Sequence, residues 1–176
     1  MRPNKYILLS AFVTLLIVGS SLYTSCSKDV CKAVTCINGG VCSGGTCICT
    51  QKGVGGLNCE IIYRNLYKNV YKGSGTNDTG KAYIDNTLTF TAGNDTSYTQ
   101  MQLIWNNHGA STVNMNITLN SNTASGSSFT VSQTTANSMV YTGFGNVNGV
   151  NASVTLNEMA PDSSVRVIML NNFTKQ

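Results

Sequence analysis

Charge is scarce in this chain: Asp, Glu, Lys and Arg make up 10% of 176 residues, and the formal net charge is only +4. That excess sits near the amino terminus, where Arg2, Lys5, Lys28, Lys32 and Lys52 face a single acid, Asp29. From Glu60 onward basic and acidic side chains balance, so no basic stripe remains for nucleic acid. Histidine occurs once, at His108 between Asn107 and Gly109. A serine-hydrolase triad would have to use it, yet no serine lies in a Gly-x-Ser-x-Gly nucleophile turn. His108 is therefore expected to be a solvated turn residue. Phosphate loops, dinucleotide fingerprints and metal-ligand clusters are absent, so no cofactor and no metal is expected. Proline is absent between Pro3 and Pro161, which leaves nothing to interrupt strands in the interval. Cysteine is absent after Cys59.

What the later chain lacks in cysteine is concentrated earlier. Cys31, Cys36, Cys42, Cys47, Cys49 and Cys59 fall within 29 residues. Such density is either a covalent framework or a metal site. Structural zinc sites pair cysteines a few residues apart, whereas here only Cys47 and Cys49 come closer than that, so disulfides are favoured. Spacing alone leaves many connectivities open.

The run CKAVTCINGGVCSGGTCICTQKGVGGLNCE, residues 31–60, resembles an epidermal-growth-factor-like (EGF-like) module. The resemblance implies pairing of Cys31 with Cys42, Cys36 with Cys47, and Cys49 with Cys59. Calcium-binding members carry acids and amides before the first cysteine and between the third and fourth. Here only Asp29 lies upstream and Ser43-Gly44-Gly45-Thr46 intervenes, so calcium is not expected.

Ahead of the module, Arg2 and Lys5 precede an apolar run from Tyr6 to Val18 and then Gly19-Ser20-Ser21. This is the order of a secretory signal, expected over residues 1–25; a retained membrane anchor is the alternative. Leu22-Tyr23-Thr24-Ser25-Cys26 resembles the lipobox of bacterial lipoproteins, which implies acylation of Cys26 and a tether over 26–30. A free thiol, an intermolecular disulfide or removal with the signal are the other fates of this odd cysteine. The resemblance implies a membrane partner through the lipid and a place at the outer membrane or cell surface.

Beyond residue 60 the pattern becomes alternation. Val113, Met115, Ile117 and Leu119 alternate with Asn114, Asn116, Thr118 and Asn120; Val150, Ala152, Val154 and Leu156 repeat the pattern. Period two marks half-buried strands. Eight are expected, at 66–71, 82–90, 101–105, 113–119, 128–132, 138–144, 150–156 and 165–170. Turns are expected at Asn107-His108-Gly109, at 122–126 and at Asn148-Gly149, the last a strong hairpin signal. A one-sided antiparallel meander must close or stack, so residues 61–176 are expected to form a small up-and-down barrel, with a two-sheet sandwich the alternative. Tyr67, Tyr71 and Gly73, followed by an expected flexible loop Ser74-Gly75-Thr76-Asn77, faintly resemble lipocalin-like barrels.

Candidate chemistry is sparse. Asp78, Asp85, Asp95, Glu158 and Asp162 are the acids from which a glycosidase pair would have to come. Asp78 and Asp95 sit in turn-rich runs where bonding to their own backbone is expected. Trp105 alternates in phase with Met101 and Leu103 and is expected inside; Tyr63, Tyr67 and Tyr71, spaced by four, would share one face of a strand. Asn77, Asn94, Asn116, Asn151 and Asn172 begin Asn-x-Ser/Thr triplets, read as a product of composition in a bacterial lipoprotein.

The expectation is a non-enzymatic surface lipoprotein, its EGF-like module serving as stalk or recognition unit for a β binding domain with a protein or carbohydrate partner. The alternatives are a lipocalin-like carrier with a cavity lined by Met101, Leu103, Met115 and Ile117, and an enzyme acting on envelope polysaccharide.

Overall fold

The computed structural model describes residues 29–93, 97–107, 111–120 and 123–176. Cys26 and the rest of the signal and tether segment, together with Asn94, Asp95 and His108, lie outside the described residues.

The first part is a disulfide-rich module. Cys31 is bonded to Cys42, Cys36 to Cys47, and Cys49 to Cys59. Its secondary structure is slight: β1 (Val41–Ser43) pairs with β2 (Thr46–Ile48), and β3 (Val54–Gly55) pairs with β4 (Ile61–Ile62). The second ladder crosses the boundary expected at residue 60, because Ile61 and Ile62 complete the module's own sheet. Val30, Val41, Ile48 and Leu57 remain exposed, so burial contributes little here and the three covalent links hold the fold.

After one turn of 3-10 helix, Tyr63–Leu66, the remaining chain forms eight strands. These are β5 (Val70–Asn77), β6 (Ala82–Ala92), β7 (Gln100–Asn107), β8 (Ser111–Leu119), β9 (Ser127–Ala136), β10 (Met139–Val147), β11 (Asn151–Met159) and β12 (Val165–Lys175). Each pairs antiparallel with the next, and β12 returns to pair with β5, closing an up-and-down barrel. Closure removes the sheet edges, and with them the sandwich alternative.

Two expectations fail at the first strand. Residues 66–69 lie outside the strand, which starts at Val70, and the expected loop Ser74-Gly75-Thr76-Asn77 is strand, paired to β12 through Asn77 with Ile168 and Thr76 with Met169. The reason is tertiary: Tyr71, Gly73, Gly75 and Asn77 form the inward phase of β5, and closure needs β12 to have a partner. Consequently Tyr63, Tyr67 and Tyr71 do not share a strand face. Tyr63 lies in the 3-10 turn, Tyr67 follows it, and only Tyr71 is in β5.

The barrel is filled. Inward positions carry Tyr67, Tyr71, Leu88, Phe90, Leu103, Met115, Phe129, Leu156, Ile168 and Phe173, all essentially without solvent contact. Edge-to-face pairs link Tyr71 to Phe90 and Phe90 to Phe129, and at the other end Tyr83 to Trp105 and Trp105 to Tyr141. Small residues opposite large ones make the rings fit: a Cβ on inward Gly145 would meet the Phe129 ring, and one on Gly73 would meet Phe173.

Candidate functional site

The strand directions give the barrel two unlike ends. At the end where the chain arrives from the module lie the β8–β9 and β10–β11 turns; at the far end lie the β5–β6, β9–β10 and β11–β12 turns. Tyrosines organise the first end. The Tyr67 hydroxyl donates to the Thr123 carbonyl, and the Tyr71 hydroxyl donates to the Asn148 carbonyl at 2.9 Å. Two otherwise independent turns are thereby fastened to the core. Burial raises the pKa of both phenols above its ordinary value of 10.0. Nearby, Arg64 donates to the carbonyls of Ser97 (2.5 Å) and Gln100 (3.3 Å) and lies over the Tyr98 ring, holding the 3-10 turn against the start of β7.

Between these fastened turns the outer wall is concave. A groove of about 700 Å³ runs over β9–β12, with Ser125–Ser128 on one side, Asn146, Asn148, Asn151 and Ser153 as floor, and Asn172 and Thr174 on the other side. A barrel wall is convex, so the depression needs a cause. It is the bulge in β12, where Asn171 and Asn172 oppose the single residue Ser153 and Asn172 takes a left-handed φ of 60°. The bulge bends β12, restores Phe173 to the inward phase, and leaves Asn172 facing solvent beside Ser153.

The lining carries no charged group. Asn148 turns its Oδ1 inward to accept from the backbone of Val150 (2.9 Å) and Asn151 (2.6 Å), which fixes that turn. The amides of Asn146, Asn151 and Asn172 and the hydroxyls of Ser128 and Ser153 have no hydrogen-bond partner among the described residues. Phe144 stands two residues before Asn146 on the same face, about 7 Å along the strand, flanked by Thr130 and Thr155 and 58% exposed.

At the far mouth, Glu158 continues the inward phase of β11, and the Tyr141 hydroxyl donates to its Oε1 at 2.8 Å. Burial, then the Glu158 carboxylate, pushes the Tyr141 phenol upward; burial and the same carboxylate act likewise on Tyr83. Asp78 adds to Glu158 in raising the Tyr83 phenol, so two of the expected acids lie toward this mouth. Asp162 sits in the β11–β12 turn, where Ser164 holds its pKa below the ordinary value, and Asp85 pairs with Lys72 at 3.4 Å on the outside. Asp78 departs from expectation: its Oδ2 accepts from the Val167 backbone across the neighbouring strand at 3.3 Å. The turn-capping role falls to Asn77, whose Oδ1 accepts from Thr79 and Lys81.

Trp105 points inward, and its indole N–H donates to Asn86 Oδ1 at 3.0 Å. Met101, Leu103, Met115 and Ile117 likewise lie in the packed interior, none more than 1% exposed, and line no part of the groove. Asn77 is buried, whereas Asn116, Asn151 and Asn172 are exposed. The groove itself was not anticipated. Its only sequence signal is the recurrence of Asn and Ser on outward positions of three consecutive strands.

Fold and groove together define a class: a disulfide-rich module joined to a closed eight-stranded antiparallel barrel with an apolar, filled interior and a polar outer wall. That polarity is the reverse of a transmembrane barrel, whose outward face is apolar; in β8 the outward residues are Thr112, Asn114, Asn116 and Thr118. Among the described residues no helix is long and apolar enough to cross a membrane. No family model matches the chain, and neither a curated protein nor a solved structure matches it.

Proposed function

We propose that this protein is a non-enzymatic binding lipoprotein of the cell surface or outer membrane, tethered through acylated Cys26. In this reading the disulfide-rich segment is an EGF-like stalk or recognition module, and the barrel presents its outer wall to a partner. The observation that carries the reading is the filled interior combined with an uncharged groove on the outside. A packed core speaks against storage of a ligand between Met101, Leu103, Met115 and Ile117, which favours binding on the outside over carriage within. The uncharged groove is what supports binding at the surface.

Intact mass of the protein from its native host, with and without reduction, tests the tether and the framework together. The expected result is a chain beginning at acylated Cys26 that gains two hydrogens for each of the three disulfides. A chain that still begins at Met1, or a mature chain without acyl groups, overturns the lipoprotein reading.

A further inference from the structure

We infer that the groove over β9–β12 is a binding site for a neutral, polyhydroxylated ligand, that is, an uncharged glycan chain. The inference deepens the reading of the barrel as a surface binder and supplies its ligand class.

Three observations converge on sugar chemistry. The first is the donor and acceptor inventory. Asn146, Asn151 and Asn172 each offer a carbonyl and an amide N–H₂ with no competing partner among the described residues, and Ser128 and Ser153 add hydroxyls. A ring of vicinal hydroxyls, each at once donor and acceptor, matches such groups one for one. A phosphate or carboxylate would find hydrogen-bond donors in the lining but no cation to balance its charge. The second is charge. No Lys, Arg, Asp or Glu lines the groove; of the cations at its edge, Lys72 beside Thr174 is paired with Asp85 at 3.4 Å, and Lys175 follows Thr174 at the end of β12. The third is Phe144, the exposed aromatic of this face at 58%, with Thr130 and Thr155 beside it and Met169 beyond Thr155. An aromatic ring held by a strand, with Thr130 and Thr155 beside it, gives a flat apolar surface for the C–H face of a sugar ring. About 7 Å separates it from Asn146, so ring stacking and amide bonding would fall on successive units of one chain.

The site is also held in shape before any ligand arrives. Tyr67 and Tyr71 fasten the turns at Thr123 and Asn148 from inside, and the Asn172 bulge fixes the opposite side. Preorganised walls reduce the ordering cost that weakens binding to open surfaces.

The test is a panel of neutral oligosaccharides (linear glucans, mannans and N-acetylglucosamine oligomers) beside anionic ones, probed with the full chain and followed by calorimetry in low and high salt. The expected result is retention of a neutral oligosaccharide with an affinity that high salt does not change. Phe144→Ala and Asn146→Ala each weaken it by about tenfold, roughly the loss of one good ligand contact. Phe144→Trp retains it, and Gln102→Ala in β7, on the other side of the barrel, has no effect. Unchanged far-ultraviolet dichroism and Trp105 emission verify that the variants fold. No neutral glycan retained, retention of anionic glycans alone, or binding that ignores Phe144 and Asn146 overturns the proposal. Binding through these residues by a chain whose native-host mass shows no acyl group would overturn the lipoprotein reading and leave the groove assignment standing.

Discussion

The Tyr141 hydroxyl donates a 2.8 Å hydrogen bond to Glu158 Oε1 across directly paired positions of β10 and β11. Both side chains face the barrel mouth, so the neutral phenol is favoured twice, by burial and by the carboxylate it serves.

A folded-state pKa raised above the ordinary 10.0 has a definite sign. Below pH of about 10 the phenol is protonated in folded and unfolded chains alike, and its contribution is fully present. As pH rises further the unfolded chain ionises first, and stability falls by up to about 1.4 kcal/mol per pH unit for each such group. Tyr67, Tyr71 and Tyr83 act in the same direction. Urea unfolding followed against pH should therefore show steady stability up to about pH 10 and a steep loss above it. Tyr141→Phe should make that alkaline slope shallower, at a neutral-pH cost of about 1.5–3 kcal/mol for the lost hydrogen bond to a carboxylate.

Reduction should separate the two halves of the molecule. All three disulfides lie before residue 60, and the barrel sequence contains no cysteine. Each link typically contributes about 2–4 kcal/mol in a segment that buries little. Under reductant, amide exchange in residues 31–59 should become fast while Trp105 emission and the β dichroism persist. Simultaneous loss of both signals would mean that the barrel depends on the module.

Gly145→Ala should destabilise the barrel by about 1–3 kcal/mol, because the new methyl meets the Phe129 ring and the Ser153 carbonyl in a filled interior. Adding Phe129→Leu should recover only part of the loss, since the carbonyl contact remains. Chemical denaturation of the single and double variants measures the difference.

Trp105→Phe should cost more than its lost volume. Asn86 is fully buried, and the indole N–H is the donor to its Oδ1. Without it a buried carbonyl is left unpaired, at about 1–3 kcal/mol. Adding Asn86→Leu should then be less damaging in the Trp105→Phe background than in the parent, which a double-mutant cycle reads directly.

Much of the barrel was legible because its inward positions follow a rule the sequence displays. In β8 the alternation of Val113, Met115, Ile117 and Leu119 with polar residues runs unbroken from residue to burial. Legibility ended where glycine replaced an apolar residue. In β5 the inward phase is Tyr71, Gly73, Gly75 and Asn77, which carries no hydrophobic period and reads as a loop. Turn chemistry was similarly incomplete. Asn148-Gly149 does form a turn, but neither residue adopts positive φ, and the paired left-handed turn lies at Asn137-Ser138.

Composition and spacing alone determined that the first part is a cysteine-dense segment of low burial and that the rest is antiparallel β, since these are local properties of residue type and period. Barrel rather than sandwich was decided only by the pairing of β12 with β5, a contact between strands about a hundred residues apart that no local pattern encodes. The groove was decided the same way. Asn146, Ser153 and Asn172 lie on three different strands, and only closure of the sheet and the bulge at Asn172 bring their free amides and hydroxyl together on one concave wall.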